Sequence, residues 1–321
     1  MLTAFVYSGG ETRTYDYLDP AWIMPASGAV VWVDLADPSA DDLRVLTEVF
    51  RFHDLAVEDA RAALHHPKAD GYPDYLYVIL HGIDFEEAPR RFATHDIDFF
   101  LGPTYLVTVH DGTSRSVARY RELCPRNGFV LADGPTHLMY RIVDLLVDNY
   151  RPDVEKLEGR LDTLEKQVFE RPRKRLVQDI LTLKRDVIEL RRVTTRQRDV
   201  VGRLARREFP QIDETNAFRF RDIYDHLVRI ADEALTFQDR ITSLLDAHLS
   251  SVSNRLSEVM KVLTVFASIF GPLTVLTSLY GMNVTLPQFP GGEDAQFWWI
   301  AALMALISGS LLLVFRRLKW L

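Results

Sequence analysis

Residues 262–283 read VLTVFASIFGPLTVLTSLYGMN, and this stretch decides the fold. It contains an apolar run from Val262 to Leu279 that ends in the polar tetrapeptide 280–283. A second apolar run extends from Phe297 to Phe315, and each run approaches the roughly 20 residues that cross a bilayer core. The loop between the two runs contains no Lys or Arg. The pattern predicts a transmembrane hairpin with a polar mouth between its two spans.

The overall composition conceals this hairpin. The 321-residue chain has a formal net charge of −7, 26% charged residues and a mean hydropathy of −0.05, which are values typical of a soluble globular chain. The acidic balance argues against a nucleic-acid partner. The sequence has no phosphate-binding loop, nucleophile elbow, HExxH or CxxC motif. We therefore expect neither an enzyme nor a nucleotide-driven pump, and no cofactor.

Basic residues set the orientation of the hairpin. They flank the spans on the side away from the loop, at Arg255, Lys261, Arg316, Arg317 and Lys319. The loop, residues 281–296, carries only the acidic Glu293 and Asp294. By the positive-inside rule both chain ends face the cytoplasm, including the basic tail of residues 316–321, and the loop faces outward. Repeated around a ring, the two acidic residues would concentrate cations, and the alternative is that they form a solvated turn.

The first span differs from the second along one face, the polar stripe. Steps of three and four residues connect positions that are mostly small or hydroxyl-bearing: Ser257, Met260, Thr264, Ala267, Gly271, Thr274, Ser278 and Gly281. The second span is apolar almost all round, so we expect an inner helix and an outer, lipid-facing helix. Small residues also let membrane helices pack closely, and periodicity alone does not separate packing from pore lining. A pore would require several copies of the chain around an axis.

Residues 1–135 alternate strand-like and helix-like runs, which predicts a cytoplasmic α/β domain. The expected strands are Thr3 to Ser8, Val30 to Leu35, Leu76 to Ile83, Ile97 to Leu101 and Tyr105 to His110. The expected helices are Ser39 to Arg51, Leu55 to Leu64 and Thr113 to Leu123.

Apolar residues at helical spacing predict a cytoplasmic helical section over residues 136–217. One helix is expected from His137 to Glu170, with Pro152 as the position for a kink, and another from Arg173 to Glu208 after a break at Arg171-Pro172. The second contains a coiled-coil-like seam at Leu176, Ile180, Leu183, Val187 and Leu190. Residues 218–280 then lack Gly and Pro until Gly271-Pro272, so a stalk helix should continue into the first span.

Several separated motifs resemble the CorA family of magnesium and divalent-cation transporters, in the 2-TM-GxN superfamily. The family's Gly-Met-Asn signature matches Gly281, Met282 and Asn283, after the usual tyrosine. Residues 257–264 (SEVMKVLT), 272–274 (PLT) and 220–226 (FRDIYDH) match the family's inner helix and stalk. Residues 32–35, 57–59 and 72–75 extend the resemblance into the first domain, so it covers nearly the whole chain.

The resemblance implies a homopentameric, funnel-shaped membrane transporter that takes up Mg²⁺ down its electrochemical gradient and is closed by intracellular Mg²⁺. A ring of Asn283 side chains would hold the hydrated ion at the mouth. The implied pore-lining positions are Ser257, Met260, Leu263, Thr264, Gly271, Thr274 and Ser278. Ser257 replaces the family's usual Asn and Gly271 its gating Met, so either the pore is leakier or Met260 and Leu263 form the constriction.

The resemblance also implies a regulatory Mg²⁺ site between subunits. Asp222 matches the stalk-helix carboxylate of that site, and Asp84 or Glu86 of the adjacent subunit is the expected partner. The loop motif Pro290-Gly291-Gly292 is loosely similar to the zinc-transporting branch, which makes Zn²⁺ the alternative cargo. An alternative from another class is a membrane-anchored coiled-coil scaffold or sensor, which would leave the polar stripe unexplained.

Overall fold

The computed structural model describes residues 1–62, 66–86, 91–170, 175–282 and 292–320, without the side chains of residues 85–86, 91–92, 169–170 and 292–294. The described chain divides into two compact units, Met1–Leu244 and Leu245–Leu321. One helix, α7, belongs to both units.

A mixed sheet organises the first unit. In the described part of the chain its strands are β1 (Leu2–Ser8), β2 (Glu11–Tyr15), β3 (Val30–Ala36), β4 (Lys68–Gly71), β5 (Leu76–Glu86), β6 (Arg91–Leu101) and β7 (Tyr105–His110). Their spatial order is β2-β1-β3-β7-β6-β5-β4. Strands β3 and β7 run parallel, and the other neighbouring pairs are antiparallel. The sheet and its helices confirm the expected α/β domain.

Both faces of the sheet are buried. On one face, Val33, Ile79 and Phe100 join an apolar cluster with residues of α1 (Arg44–Glu48) and α2 (Asp54–Arg61). On the other face the fully buried Trp32 stacks on Phe5, with ring centroids 4.8 Å apart. Helices α3 (Arg115–Leu123) and α4 (Pro135–Asp148) pack on each other, and α4 also contacts β3, β6 and β7.

The sequence did not predict the edge strands β2 and β4, because their residues are largely charged or polar and an edge strand need not bury both faces. The helix expected from Ser39 is also shorter, since regular α-helix covers only Arg44–Glu48. Ser39 instead donates its backbone N–H and its hydroxyl to the Asp42 carboxylate, at 3.0 Å each. Such local bonds compete with helix formation. The last residues of the helix expected to reach Leu64 lie outside the described residues.

The single helix expected from His137 to Glu170 is wrong: α4 ends at Asp148 and α5 (Tyr150–Glu170) begins after Asn149. Pro152 is the third residue of α5, a position whose N–H has no partner within a helix, so it causes no kink. The break lets the fully buried Tyr150 donate its hydroxyl to the His81 carbonyl of β5, at 2.5 Å.

Helix α6 (Leu176–Ala205) packs against α5. The predicted seam is confirmed, because its five side chains are at most 1% exposed. They face α5 residues of similar burial, namely Val154, Leu157, Leu161, Leu164 and Val168. The break expected at Arg171-Pro172 lies outside the described residues.

Helix α7 (Glu214–Tyr280) is 67 residues long and passes through Gly271 and Pro272 without ending. It begins four residues before the expected Phe218, because Asp213 accepts a 2.7 Å hydrogen bond from the backbone N–H of Asn216 and so caps the first turn. Helix α8 (Gly292–Arg317) begins five residues before the expected Phe297. Acidic residues occupy its first turn in the sequence, where the helix dipole favours negative charge.

Candidate functional site

The two long apolar helices of the second unit leave their apolar side chains uncovered. The most apolar windows of α7 and α8 are 6% and 0% buried, respectively. A core helix of a soluble protein would be mostly buried, so a lipid environment explains these surfaces better.

Each of these helices nevertheless has one shielded face. On α7 the less exposed large apolar residues of the span are Val265, Ile269, Leu273, Leu276 and Tyr280, and Ser268 is also half-buried. On α8 the less exposed large apolar residues are Ile300, Met304, Ile307, Leu311 and Phe315, and the half-buried small or polar ones are Ala295, Gln296, Ala301, Ser308 and Gly309. Val265 and Phe315 are buried, at 8% and 7% exposure. Both sets recur at helical spacing, which is the pattern of two spans packed side by side along one face.

The predicted pore-lining residues lie on the other face of α7. At about 100° of rotation per residue, their mean direction is about 180° from the centre of the shielded face. All of them are exposed in the single chain, and Met260 and Leu263 are 52% and 59% exposed. The polar stripe therefore lies opposite the shielded face of α7 and is exposed in the single chain.

Two hydroxyls of the polar stripe already donate their hydrogens within the helix. Thr264 Oγ1 donates to the Met260 carbonyl at 2.7 Å, and Thr274 Oγ1 donates to the Phe270 carbonyl at 2.8 Å. The lone pairs of both oxygens remain free to accept hydrogen bonds. The stripe therefore presents acceptors, which suit the water molecules around a hydrated cation.

The width of the polar stripe changes along the helix. At Gly271 an added Cβ would meet nothing within 4 Å, so the glycine leaves open space there. Met260 and Leu263 are the large apolar side chains among the pore-lining set, and both lie nearer the start of the first span. A ring of copies would thus be narrow and apolar at Met260 and wider at Gly271.

The first span ends at the Gly-Met-Asn motif. The Gly281 N–H donates to the Thr277 carbonyl at 2.8 Å, and an added Cβ at this glycine would lie only 3.0 Å from the same oxygen. Met282 is 57% exposed. Asn283, Pro290 and Gly291 lie outside the described residues, as do the side chains of Glu293 and Asp294.

Asp222 lies in an acidic surface formed by α4 and α7. It is 69% exposed, and its Oδ2 lies 3.9 Å from His226 Nε2, while His226 Nδ1 lies 3.9 Å from Asp148 Oδ1. Burial and then the charges of Asp148 and Asp222 raise the pKa of the half-buried Asp144. We call Asp144, Asp148, Asp222 and His226 the α4–α7 acidic cluster. Sequence reasoning missed its α4 members, although Asp144 and Asp148 share a helix face at i, i+4 spacing.

Asp84 is already paired within its own chain. Its Oδ1 lies 2.7 Å from Arg115 NH2 and its Oδ2 lies 3.4 Å from His95 Nδ1. Arg115 also lies 3.3 Å from the buried Asp153. Asp84 is therefore a less available cation ligand than its sequence position indicates, and the side chain of Glu86, the other expected partner, lies outside the described residues. Within the described part of the chain, no three His, Cys, Asp or Glu side chains converge to hold a metal ion.

Known proteins resemble this chain over nearly its whole length. The family model described as "CorA-like Mg2+ transporter protein" matches residues 27–317. The "Cobalt/magnesium transport protein CorA" of Thermotoga maritima is 32% identical, over 98% of this chain and 91% of the relative. A protein with the same name from Methanocaldococcus jannaschii is 26% identical, over 91% of this chain and 92% of the relative.

A solved structure has the same fold along the whole chain. The structure described as "The complete structure of CorA magnesium transporter from Methanocaldococcus jannaschii" superposes with a TM-score of 0.86 at 22% identity. The match covers 100% of this chain and 99% of the other. The α/β domain, the long helix and the two C-terminal apolar helices are thus one known fold.

Proposed function

The chain belongs to the CorA-like Mg2+ transporter family, and from that membership we propose that it carries divalent cations, chiefly Mg²⁺, across a membrane. The relatives' names give magnesium and cobalt as their cargo, and they do not favour the zinc alternative.

The observation that carries the proposal is the position of the polar stripe, opposite the shielded face of α7. In a ring of copies, α7 would line the axis with this stripe and α8 would face the lipid. The family resemblance supports five copies. The basic residues at both ends of the hairpin support cytoplasmic termini and an outward-facing loop.

Mg²⁺ gives up its water reluctantly and prefers oxygen ligands. Asn283 and the accepting hydroxyls of Thr264 and Thr274 would therefore hold the hydrated ion through hydrogen bonds to its water. A membrane potential that is negative inside drives a cation inward with roughly 2.3 kcal/mol per charge per 100 mV. No nucleotide is then required.

The constriction of this pore would lie at Met260 and Leu263. An apolar ring impedes an ion because it cannot replace the hydrogen bonds of the hydration shell. Gly271 provides no side chain for such a ring. We therefore expect no apolar gate at the level where the family usually has one.

Asp222 would hold the regulatory Mg²⁺, and Asp148 and Asp144 of the α4–α7 acidic cluster would add negative charge nearby without acting as ligands. These carboxylates repel one another in the absence of a cation, and a bound divalent ion would relieve that repulsion. Asp84 of an adjacent subunit is a weaker candidate as partner because Arg115 already neutralises it.

Reconstitution of the full chain into liposomes that contain a Mg²⁺-sensitive dye tests the function. We expect Mg²⁺ influx that increases with an inside-negative potential and is lost in Asn283→Ala. A folded oligomer without flux would contradict the transporter and favour the membrane-anchored scaffold or sensor. The same assay with Zn²⁺, with and without a proton gradient, identifies the cargo: Zn²⁺ flux above Mg²⁺ flux would overturn the magnesium assignment.

A further inference from the structure

A small cavity lies between α6 and the sheet, within the first unit and away from the α4–α7 acidic cluster. Its volume is 140 Å³. Eight residues line it: His66, Pro67, His81, Thr94, Glu189, Arg192, Val193 and Arg196. Neither the transport pathway nor the regulatory carboxylates use any of them.

The cavity has an excess of positive charge. Arg192 and Arg196 lie one turn apart on the same face of α6. Glu189 neutralises Arg192, since its Oε1 lies 2.5 Å from Arg192 NH2. Arg196 donates to Nδ1 of His66, and among the described residues no carboxylate pairs with it. Arg196 thus adds to the cavity a guanidinium that forms no ion pair with the described residues, while the nearby Asp96 carboxylate lies 3.2 Å from His81 Nε2.

The wall formed by the sheet and α6 is well fixed. Val193 and His81 are buried, at 3% and 5% exposure. The backbone N–H of His81 donates to the side chain of Gln197, whose Nε2 donates to Tyr150 Oη at 2.7 Å. These buried bonds hold α6 against β5 at the level of the cavity, and Thr94 of β6 lines the same wall.

Size and chemistry select the occupant. A water molecule takes about 30 Å³ of liquid, so the cavity has room for about four or five oxygen-sized groups. Guanidinium groups bind the oxygens of phosphate and carboxylate through paired, charge-assisted hydrogen bonds. We propose that this cavity is a binding site for a small tetrahedral oxyanion of the phosphate type, held by Arg196 and Arg192 with a hydrogen bond from Thr94.

Free phosphate and the phosphate group of a nucleotide share this chemistry. The 140 Å³ volume favours free phosphate, because a ribose and a base would have to remain outside the cavity. Inorganic phosphate and adenosine monophosphate are therefore compared as separate probes.

The test is calorimetric titration of the detergent-solubilised full chain with inorganic phosphate at constant ionic strength, with chloride as the reference anion. We expect saturable binding of one phosphate per chain. Arg196→Gln should weaken it by about tenfold or more, because a neutral amide removes the charge assistance. Arg191→Gln is the matched control: Arg191 lies on the same helix but donates to Gln238 at 2.8 Å and does not line the cavity, so affinity should be unchanged.

Thr94→Val is the second variant, in case Arg196→Gln does not fold. It removes the hydroxyl at nearly constant volume and should weaken phosphate by about threefold to tenfold. If adenosine monophosphate binds more tightly than phosphate, the cavity is still an oxyanion site, and the oxyanion it binds is the phosphate group of a nucleotide. Absence of saturable binding by the wild-type chain, or equal affinity in both arginine variants, would overturn the proposal. Neither outcome depends on whether the protein transports cations.

Discussion

The sheet of the first unit and the two spans of the second unit contain similar side chains with opposite burial. Phe100 and Leu80 are 0% exposed in the sheet, whereas Leu306 and Phe266 are 71% and 58% exposed in the spans. In the first unit one chain covers its own apolar surface. In the second unit that surface remains open, and the small and hydroxyl-bearing residues form a separate exposed stripe.

This difference shows which parts of the molecule are complete in one chain. Burial of apolar area stabilises the sheet in water without a partner. Under the proposed function, the exposed surfaces of the spans would face lipid on one side and other copies on the side of the polar stripe.

Phe100→Ala should break the sheet core. Phe100 stacks on Phe52 and Tyr77 at centroid distances of 4.3 and 4.5 Å, so truncation leaves a cavity. The expected loss is about 3–5 kcal/mol in the free energy of opening. Hydrogen–deuterium exchange of the β5–β7 amides in detergent-solubilised protein measures it. Leu306→Ala, on an exposed face of α8, is the control and should change the exchange of the same amides by less than about 0.5 kcal/mol.

Asp98→Asn should remove a pH dependence of the sheet. Burial, the largest influence, raises the pKa of Asp98 to about 7, although the 2.5 Å hydrogen bond from Tyr77 lowers it. An unfolded Asp releases its proton near pH 4, so between about pH 4 and 7 the folded chain binds more protons than the unfolded chain. Stability therefore falls as pH rises through that window and stays low above it.

The Asn variant should consequently be more stable than the wild type at pH 8, by on the order of 2–4 kcal/mol, and should differ little at pH 4. Thermal unfolding at both pH values checks this. Asp199→Asn is the control, because Asp199 is 66% exposed beside Arg198 and should leave the pH profile unchanged. An unaltered profile in Asp98→Asn would show that Asp98 is ionised in the folded chain.

Thr274→Leu tests the polar stripe. A larger apolar side chain on the stripe should reduce Mg²⁺ influx into liposomes by about tenfold or more, because it narrows the pore and removes an acceptor. Thr277→Leu is the matched control: Thr277 is also an exposed threonine, bonded to the Thr274 carbonyl at 3.0 Å, but lies about 100° from the centre of the stripe. Equal losses in both variants would indicate that the stripe packs rather than conducts.

Asp222→Ala and Asp84→Asn compare an exposed carboxylate with one that is paired within its own chain. Mg²⁺ should protect the first unit of the wild-type chain against proteolysis, and the Asp222→Ala variant should need about threefold to tenfold more Mg²⁺ for half protection. Asp84→Asn should instead speed cleavage without Mg²⁺, since Arg115 and His95 lose their ion pairs with Asp84 and Arg115 keeps only the one with Asp153, and should leave the Mg²⁺ midpoint unchanged. A shifted midpoint in Asp84→Asn would restore Asp84 as a regulatory ligand.

Much of the fold could be predicted from sequence where the pattern is local and long. The membrane hairpin, the α5–α6 seam and the stalk followed from helical periodicity over many turns. The polar edge strands β2 and β4 did not, because their pairing with β1 and β5 depends on neighbours rather than on apolar residues of their own. The break before Tyr150 also escaped prediction, since it accompanies a hydrogen bond from Tyr150 to His81, 69 residues earlier.

Some features of the candidate site could likewise be predicted from the sequence, and others required the tertiary structure. The Gly-Met-Asn motif and the polar stripe could be read from the sequence, because each is a run or a spacing along one helix, and the family resemblance singled out Asp222. The ion pair between Arg115 and Asp84 and the approach of Asp148 on α4 to His226 depend on tertiary structure. The position of the stripe opposite the shielded face does so as well. Periodicity fixes which residues share a helix face, whereas the partner of that face depends on contacts between residues distant in the chain.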